Sequence, residues 1–175
     1  IDNATGLAAT LSIAEAMAPQ MARMKRGLRI ALFTVEEWAL AGSANYVDGL
    51  SDAERSAIKL NVNLDSIAGS AHVTALTSGL EKLEQWLLDR AEAHGHAIGV
   101  HRPLMANSDH YNFARHGVPA TRLVAGFGEP DSELRYVLTP SDTRDRVKLE
   151  DLRNATALAA ALVAEACRAD LLELR

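Results

Sequence analysis

Two adjacent glutamates, Glu36 and Glu37, end the apolar run Leu28–Thr34 inside the stretch "IALFTVEEWALAGS". Asp65 directly follows a second such run, "KLNVNL" (Lys59–Leu64), and Asp2 leads into the first helical pattern. Carboxylates held together in a cleft repel one another unless protons or cations neutralise them. A divalent metal is the simplest neutraliser, and oxygen ligands joined by a histidine suit zinc or manganese. Taken singly, each of these acids also fits a helix cap or a solvated loop, so the inference rests on the set.

Other reactive side chains organise less well. Ser108, Asp109 and His110 are consecutive, so their side chains point apart and cannot form a catalytic triad among themselves. No G-x-S-x-G elbow is present either, which argues against a serine hydrolase. His72, His94, His96, His101 and His116 have no pairing that suggests metal binding. Trp38 follows the glutamates and fits either a pocket wall or simple packing. Trp86 belongs with the stripe Leu80, Leu83 and Leu87 on a core-facing helix.

Elements of alternating type must position the acids. Helical patterns are expected at Leu7–Ala18 with Thr5 as N-cap, at Ala41–Val47, from Ser51 with the capping-box residue Glu54, at Leu80–His94 stopped by Gly95, at Ser108–His116, and at Leu149–Leu174. Strands are expected at Leu28–Thr34, Lys59–Leu64, His72–Thr77, Ile98–Pro103 (an edge, given the proline) and Ala120–Val124. Such alternation predicts an α/β sandwich with a largely parallel sheet. In these sheets ligands bind beyond the carboxyl ends of the strands, where Asp65 and the Glu36–Glu37 pair would converge.

Composition bounds the rest. The 175 residues carry 48% hydrophobic and 23% charged side chains, enough for one soluble domain with a real core. The net charge of -5 is spread along the chain, which argues against nucleic acid and anionic membranes as partners. One cysteine, Cys167, excludes an internal disulfide framework. No apolar run approaches the ~20 residues of a membrane span. The chain opens on Ile1 rather than methionine, so it is read as a single domain, 1–175, incomplete at its N-terminus.

The pieces "DNATG" (Asp2–Gly6), "EEWALAGS" (Glu36–Ser43), "NLDSIAG" (Asn63–Gly69), "SDHYNFARHGVPA" (Ser108–Ala120) and "LTPSDT" (Leu138–Thr143) occur in this order. Over nearly the whole chain that order resembles the co-catalytic di-zinc aminopeptidases related to glutamate carboxypeptidase, glutaminyl cyclase and the transferrin receptor. The resemblance implies a three-layer α/β sandwich with a largely parallel, mixed central sheet and helices on both faces. It also implies a zinc-dependent exopeptidase acting on peptide or aminoacyl substrates, and a secreted or periplasmic location. By residue, it makes Asp2 the carboxylate bridging two zincs, Glu37 and Asp65 ligands of one each, and Glu36 the general base. It also implies a cis Asp2–Asn3 peptide bond; Trp38, Asp109 and Tyr136 are candidate substrate contacts beside these residues, Tyr136 standing one residue from the place of the family's oxyanion-stabilising tyrosine. A metal pair ~3.5–4 Å apart would activate a water, polarise the scissile carbonyl and stabilise the tetrahedral intermediate.

The chain departs from that pattern in two places. The family's first histidine ligand precedes the bridging aspartate, hence falls before Ile1. A Tyr-His pair expected just before "TPSDT" is replaced by Val137 and Leu138, and Leu138 cannot bind a metal. Three readings follow. His110 substitutes as the ligand, or only shapes the pocket; the site holds one zinc, as in the cyclases; or the domain is non-catalytic, like the transferrin receptor. Retention of Asp2, Glu36, Glu37 and Asp65 together favours a working metal site.

Overall fold

The protein is described here by a computed structural model covering residues 1–170 and 172–175. Four strands form one mixed sheet in the order β1-β4-β2-β3: β1 (Asn61–Leu64), β2 (Val73–Leu76), β3 (Ile98–His101) and β4 (Ala120–Ala125). β1 pairs with β4 and β2 with β3 in parallel, whereas β2 runs antiparallel to β4. β3 is an edge, as its proline-terminated sequence predicts, and ends at His101, before Pro103.

Helices cover both faces, giving the α/β three-layer arrangement. α1 (Ala4–Met17), α4 (Glu81–Ala93) and α6 (Leu149–Arg168) pack on one face around Ile13, Leu64, Leu83, Leu87, Leu123, Leu158 and Leu162, all buried. α2 (Ala41–Asp48) and α5 (His110–Arg115) cover the other, where Val47, Phe113, Val118 and Ala120 form a smaller core. The short α3 (Asp52–Ala57) begins at Ser51 with the expected capping box to Glu54. Among the described residues no helix is long and apolar enough to cross a membrane.

Three local expectations are corrected. α1 is capped by Asn3, whose side chain accepts the Gly6 N–H, so Thr5 lies inside the first turn. α6 stops at Arg168 rather than Leu174; the Cys167 carbonyl accepts the backbone N–H groups of Lys25 and Arg26 at 2.9 and 3.1 Å. That contact satisfies an end carbonyl that a longer helix would have used internally. Position 171 of the expected helix lies outside the described residues. Leu28–Thr34 is not a strand. Its ends are anchored, Leu28 against the larger core and Phe33 on Tyr46 and Phe113 at 5.5 and 6.1 Å between ring centroids. Between them Leu32 is 54% exposed. Apolar composition calls for burial, but a strand also needs a neighbour's backbone groups, and this segment has no ladder partner among the described residues.

Candidate functional site

Asp65 is the first residue past the carboxyl end of β1. The residue is 7% exposed and its carboxylate is surrounded by donors: Ser108 Oγ–H to Oδ2 at 2.6 Å, Ser66 Oγ–H to Oδ1 at 3.2 Å, and an Arg122 guanidinium nitrogen 3.2 Å from Oδ2. Strand register explains the arginine. Arg122 on β4 lies directly opposite Asn63 on β1, so both project to the α5 face, and Asn63 Nδ2–H donates to Ser108 Oγ at 2.6 Å.

Asp2 sits at the entrance to α1, joined to Asn3 by a cis peptide bond. Its N–H donates to Asp142 Oδ2 at 2.9 Å, which ties the "DNATG" segment to the "TPSDT" loop. Glu36 and Glu37 occupy a tight turn, where Leu40 N–H donates to Glu36 C=O at 2.8 Å. Val35 enters that turn at φ +53°, a left-handed conformation that costs a β-branched residue about 1–2 kcal/mol. Gly42, in the "AGS" that follows, lies in the first turn of α2, where a Cβ would fall on the Thr34 carbonyl.

These three segments bring Asp2, Glu36, Glu37 and Asp65 to one cleft of two joined chambers. The first, about 250 Å³, also meets Asn3, Ser108 and Asp109; the second, about 360 Å³, adds Arg122, Val137 and Leu138. Crowding has an electrostatic cost. Burial, then the charges of Asp65 and Glu37, push Asp2 up to about 6, partly opposed by Arg122. Burial, then Asp65, Asp109, Glu37 and Asp2, push Glu36 up to about 7. Burial also raises Asp109, whose Oδ1 has no partner.

The remaining sequence candidates lie elsewhere. Trp38 is 77% exposed and outside the cleft wall. Tyr136 is also off the wall, with its ring under the guanidinium groups of Arg135 and Arg146 at 4.9 and 3.5 Å. His110 is fully buried at the start of α5, off the cleft wall, with neither ring nitrogen hydrogen-bonded. Burial holds its imidazole down at about 4. Leu138 does reach the cleft, 74% exposed and at φ +63°. Sequence reasoning assigned no role to Asn3, Arg122 or Asp142. Asn3 and Asp142 stand inside the quoted motifs, but their function is to hold backbone, which residue type alone does not reveal.

As placed, no group of three or more His, Cys, Asp or Glu among the described residues is gathered closely enough to hold a metal ion. The donor chemistry nevertheless fits a divalent cation. Five carboxylates, Asp2, Glu36, Glu37, Asp65 and Asp109, line the cleft, and among the described residues Arg122 is the only cation and no imidazole stands on its walls.

The fold is a mixed α/β sheet with an acidic cleft beyond the carboxyl end of β1. The chain superposes on the structure of BSAP, a zinc aminopeptidase from Bacillus subtilis, with a TM-score of 0.84 and 26% identity, covering 97% of this chain and 42% of that one. It also matches a glutaminyl cyclase from an Acidobacteriales bacterium at TM-score 0.52 and 25% identity, over 71% of this chain and 44% of the other. Residues 1–163 match Peptidase family M28, and the chain belongs to that family. In sequence it is 26% identical over 172 residues to aminopeptidase YwaD of Bacillus subtilis (strain 168), covering 95% of this chain and 37% of that protein. The chain thus spans about two fifths of the length of these aminopeptidases.

Proposed function

We propose that this chain supplies the carboxylate wall of the active site of a zinc-dependent exopeptidase, an aminopeptidase that hydrolyses N-terminal peptide bonds. One observation carries the reading: Asp2, Glu36, Glu37 and Asp65, from three separate segments, meet in a single cleft. Membership of a peptidase family, and relatives named aminopeptidase and zinc aminopeptidase, support it.

Asp2, Glu37 and Asp65 would hold zinc, which when bound supplies Lewis acidity and a water reactive at neutral pH. Glu36, next to a ligand and with a carboxylate that accepts no hydrogen bond among the described residues, takes the proton from the attacking water and returns it to the leaving amine. Ser108 and Arg122 orient the Asp65 carboxylate from behind. Arg122 also offsets part of the cleft's negative charge before a cation enters. Asp109 stands on the same wall, where its charge adds to the negative field that the ammonium group of a peptide's N-terminal residue would meet.

A second reading, a single-zinc hydrolase or cyclase-like enzyme, is favoured by Val137 and Leu138 on the cleft wall, where a histidine would complete a second site. Zinc titration of the full-length protein, followed by hydrolysis of aminoacyl anilides, tests both. Two zincs with hydrolysis support the first reading, one zinc the second, and none would make the domain a binding module. Glu36→Gln should retain zinc and lose ~10²–10⁴-fold in turnover, because an amide cannot accept the proton. Glu37→Gln should lose zinc affinity first. The opposite pattern would reverse the two assignments.

A further inference from the structure

Asn3 makes three hydrogen bonds, and their placement is informative. Its Nδ2–H donates to the Leu64 carbonyl at 2.9 Å, and its Oδ1 accepts the Ser66 N–H at 3.2 Å and the Gly6 N–H at 3.0 Å. Leu64 C=O and Ser66 N–H belong to the two peptide groups that flank Asp65. One side chain therefore grips the backbone on both sides of Asp65 while capping α1, and it is covalently joined to Asp2. Ser66 lies at φ +58°, in the turn that follows Asp65. α1 itself is pressed against the same point, since a Cβ on Gly6 would fall on the Leu64 carbonyl. Thr5 adds a second strut, its Oγ1 accepting the Ile67 N–H at 3.3 Å.

We infer that Asn3 is a positioning residue that fixes the separation and relative orientation of the Asp2 and Asp65 carboxylates. The two acids come from segments more than sixty positions apart in sequence. Their side chains repel each other in the absence of a cation, so a neutral clamp through the backbone is needed to keep them together before a metal arrives. An amide is suited to this role. It offers a donor and an acceptor at once, to a carbonyl and an N–H, and it adds no charge to a cleft already rich in negative charge. The inference rests on the reading of Asp2 and Asp65 as metal ligands and extends it to the residue that sets their geometry.

The clamp can be separated from the cap. Serine caps helices about as well as asparagine but is too short to span from the Leu64 carbonyl to the Ser66 N–H. Asn3→Ser should therefore keep the α1 cap and lower the denaturation midpoint only through the two lost backbone contacts, while zinc affinity falls ~10–100-fold, the range for partners that orient metal ligands. Asn3→Thr, which also caps, provides the same comparison if the serine variant does not fold. Zinc affinity would be measured on the full-length protein by competition with a fluorescent chelator. The absorption spectrum of the Co²⁺-loaded protein would report ligand geometry without reference to activity. Ser51→Ala, which removes the cap of the remote α3, is the control for general loss of stability. It should lower the midpoint and leave zinc affinity and the cobalt spectrum unchanged. Asn3→Ser binding zinc within twofold of the wild type, with the wild-type cobalt spectrum, would overturn the clamp alone. Undiminished zinc binding by Asp2→Asn and Asp65→Asn would instead overturn the ligand reading, and the clamp with it.

Discussion

His110 offers a sharp test of how the site is built, because its surroundings make opposite demands on its two forms. The ring is wholly buried and neither nitrogen has a hydrogen-bond partner. Burial, reinforced by the Arg122 guanidinium and opposed by Asp65, holds its pKa at about 4 against an ordinary 6.5. The unfolded chain thus takes up a proton at His110 in a pH range where the folded chain does not. The stability that comes from keeping the ring neutral is complete above pH 6.5 and is lost progressively as the pH falls to about 4. At 1.36 kcal/mol per pH unit, that window amounts to roughly 3 kcal/mol. His110→Leu preserves approximate volume and removes the proton site. Urea unfolding of the zinc-free protein, followed by circular dichroism at several pH values between 7.5 and 4.5, should show the variant gaining most of that ~3 kcal/mol relative to the wild type as pH falls. At pH 7.5 the variant should already equal or exceed the wild type, because two unpartnered polar atoms leave the interior. Zinc affinity should be unchanged. A stability difference independent of pH would refute the neutral, buried histidine. Loss of zinc in the variant would show that His110 is the substitute ligand after all.

Further outcomes follow from the same geometry. Leu138→His should raise zinc stoichiometry in a titration if the site otherwise lacks a ligand there. Leu138 faces the cleft, is 74% exposed, and holds a left-handed φ of +63° that histidine tolerates better than most residues, so stability should change by less than about 0.5 kcal/mol. Unchanged stoichiometry would remove Leu138 from the ligand position. Gly6→Ala places a methyl group on the Leu64 carbonyl and should destabilise by about 1–3 kcal/mol, measured by thermal unfolding, as overpacking does elsewhere. A neutral Gly6→Ala would mean that α1 can withdraw from β1 at no cost.

Much of the site is legible in the residues themselves. Acids that terminate apolar runs point to a rim of carboxylates, and the ordered motifs select Asp2, Glu36, Glu37 and Asp65, which the fold does bring to one cleft. The helices were readable for a local reason: capping residues, amphipathic spacing and a stopping glycine all act within a few positions, as at Ser51–Glu54 and at Gly95. What depended on distant partners was not readable. Leu28–Thr34 has the composition of a buried strand and no ladder partner among the described residues, because strand formation is decided by a neighbour's backbone. The antiparallel β2–β4 pair has the same origin.

The polar atoms around the acids divide in the same way. Sequence alone determines that carboxylates are present, that they are too many for a cleft without a cation, and that a leucine stands where a histidine was expected. Only the tertiary structure decides that Asp65 is gripped by Ser108 and Arg122, that Asp142 holds the Asp2 N–H, and that Asn3 spans the peptide groups on either side of Asp65. The physical reason is that a side chain's charge and donor count travel with its residue type. Its partner is set by which strands lie in register and which loop closes over them, and those distances depend on the whole packed chain.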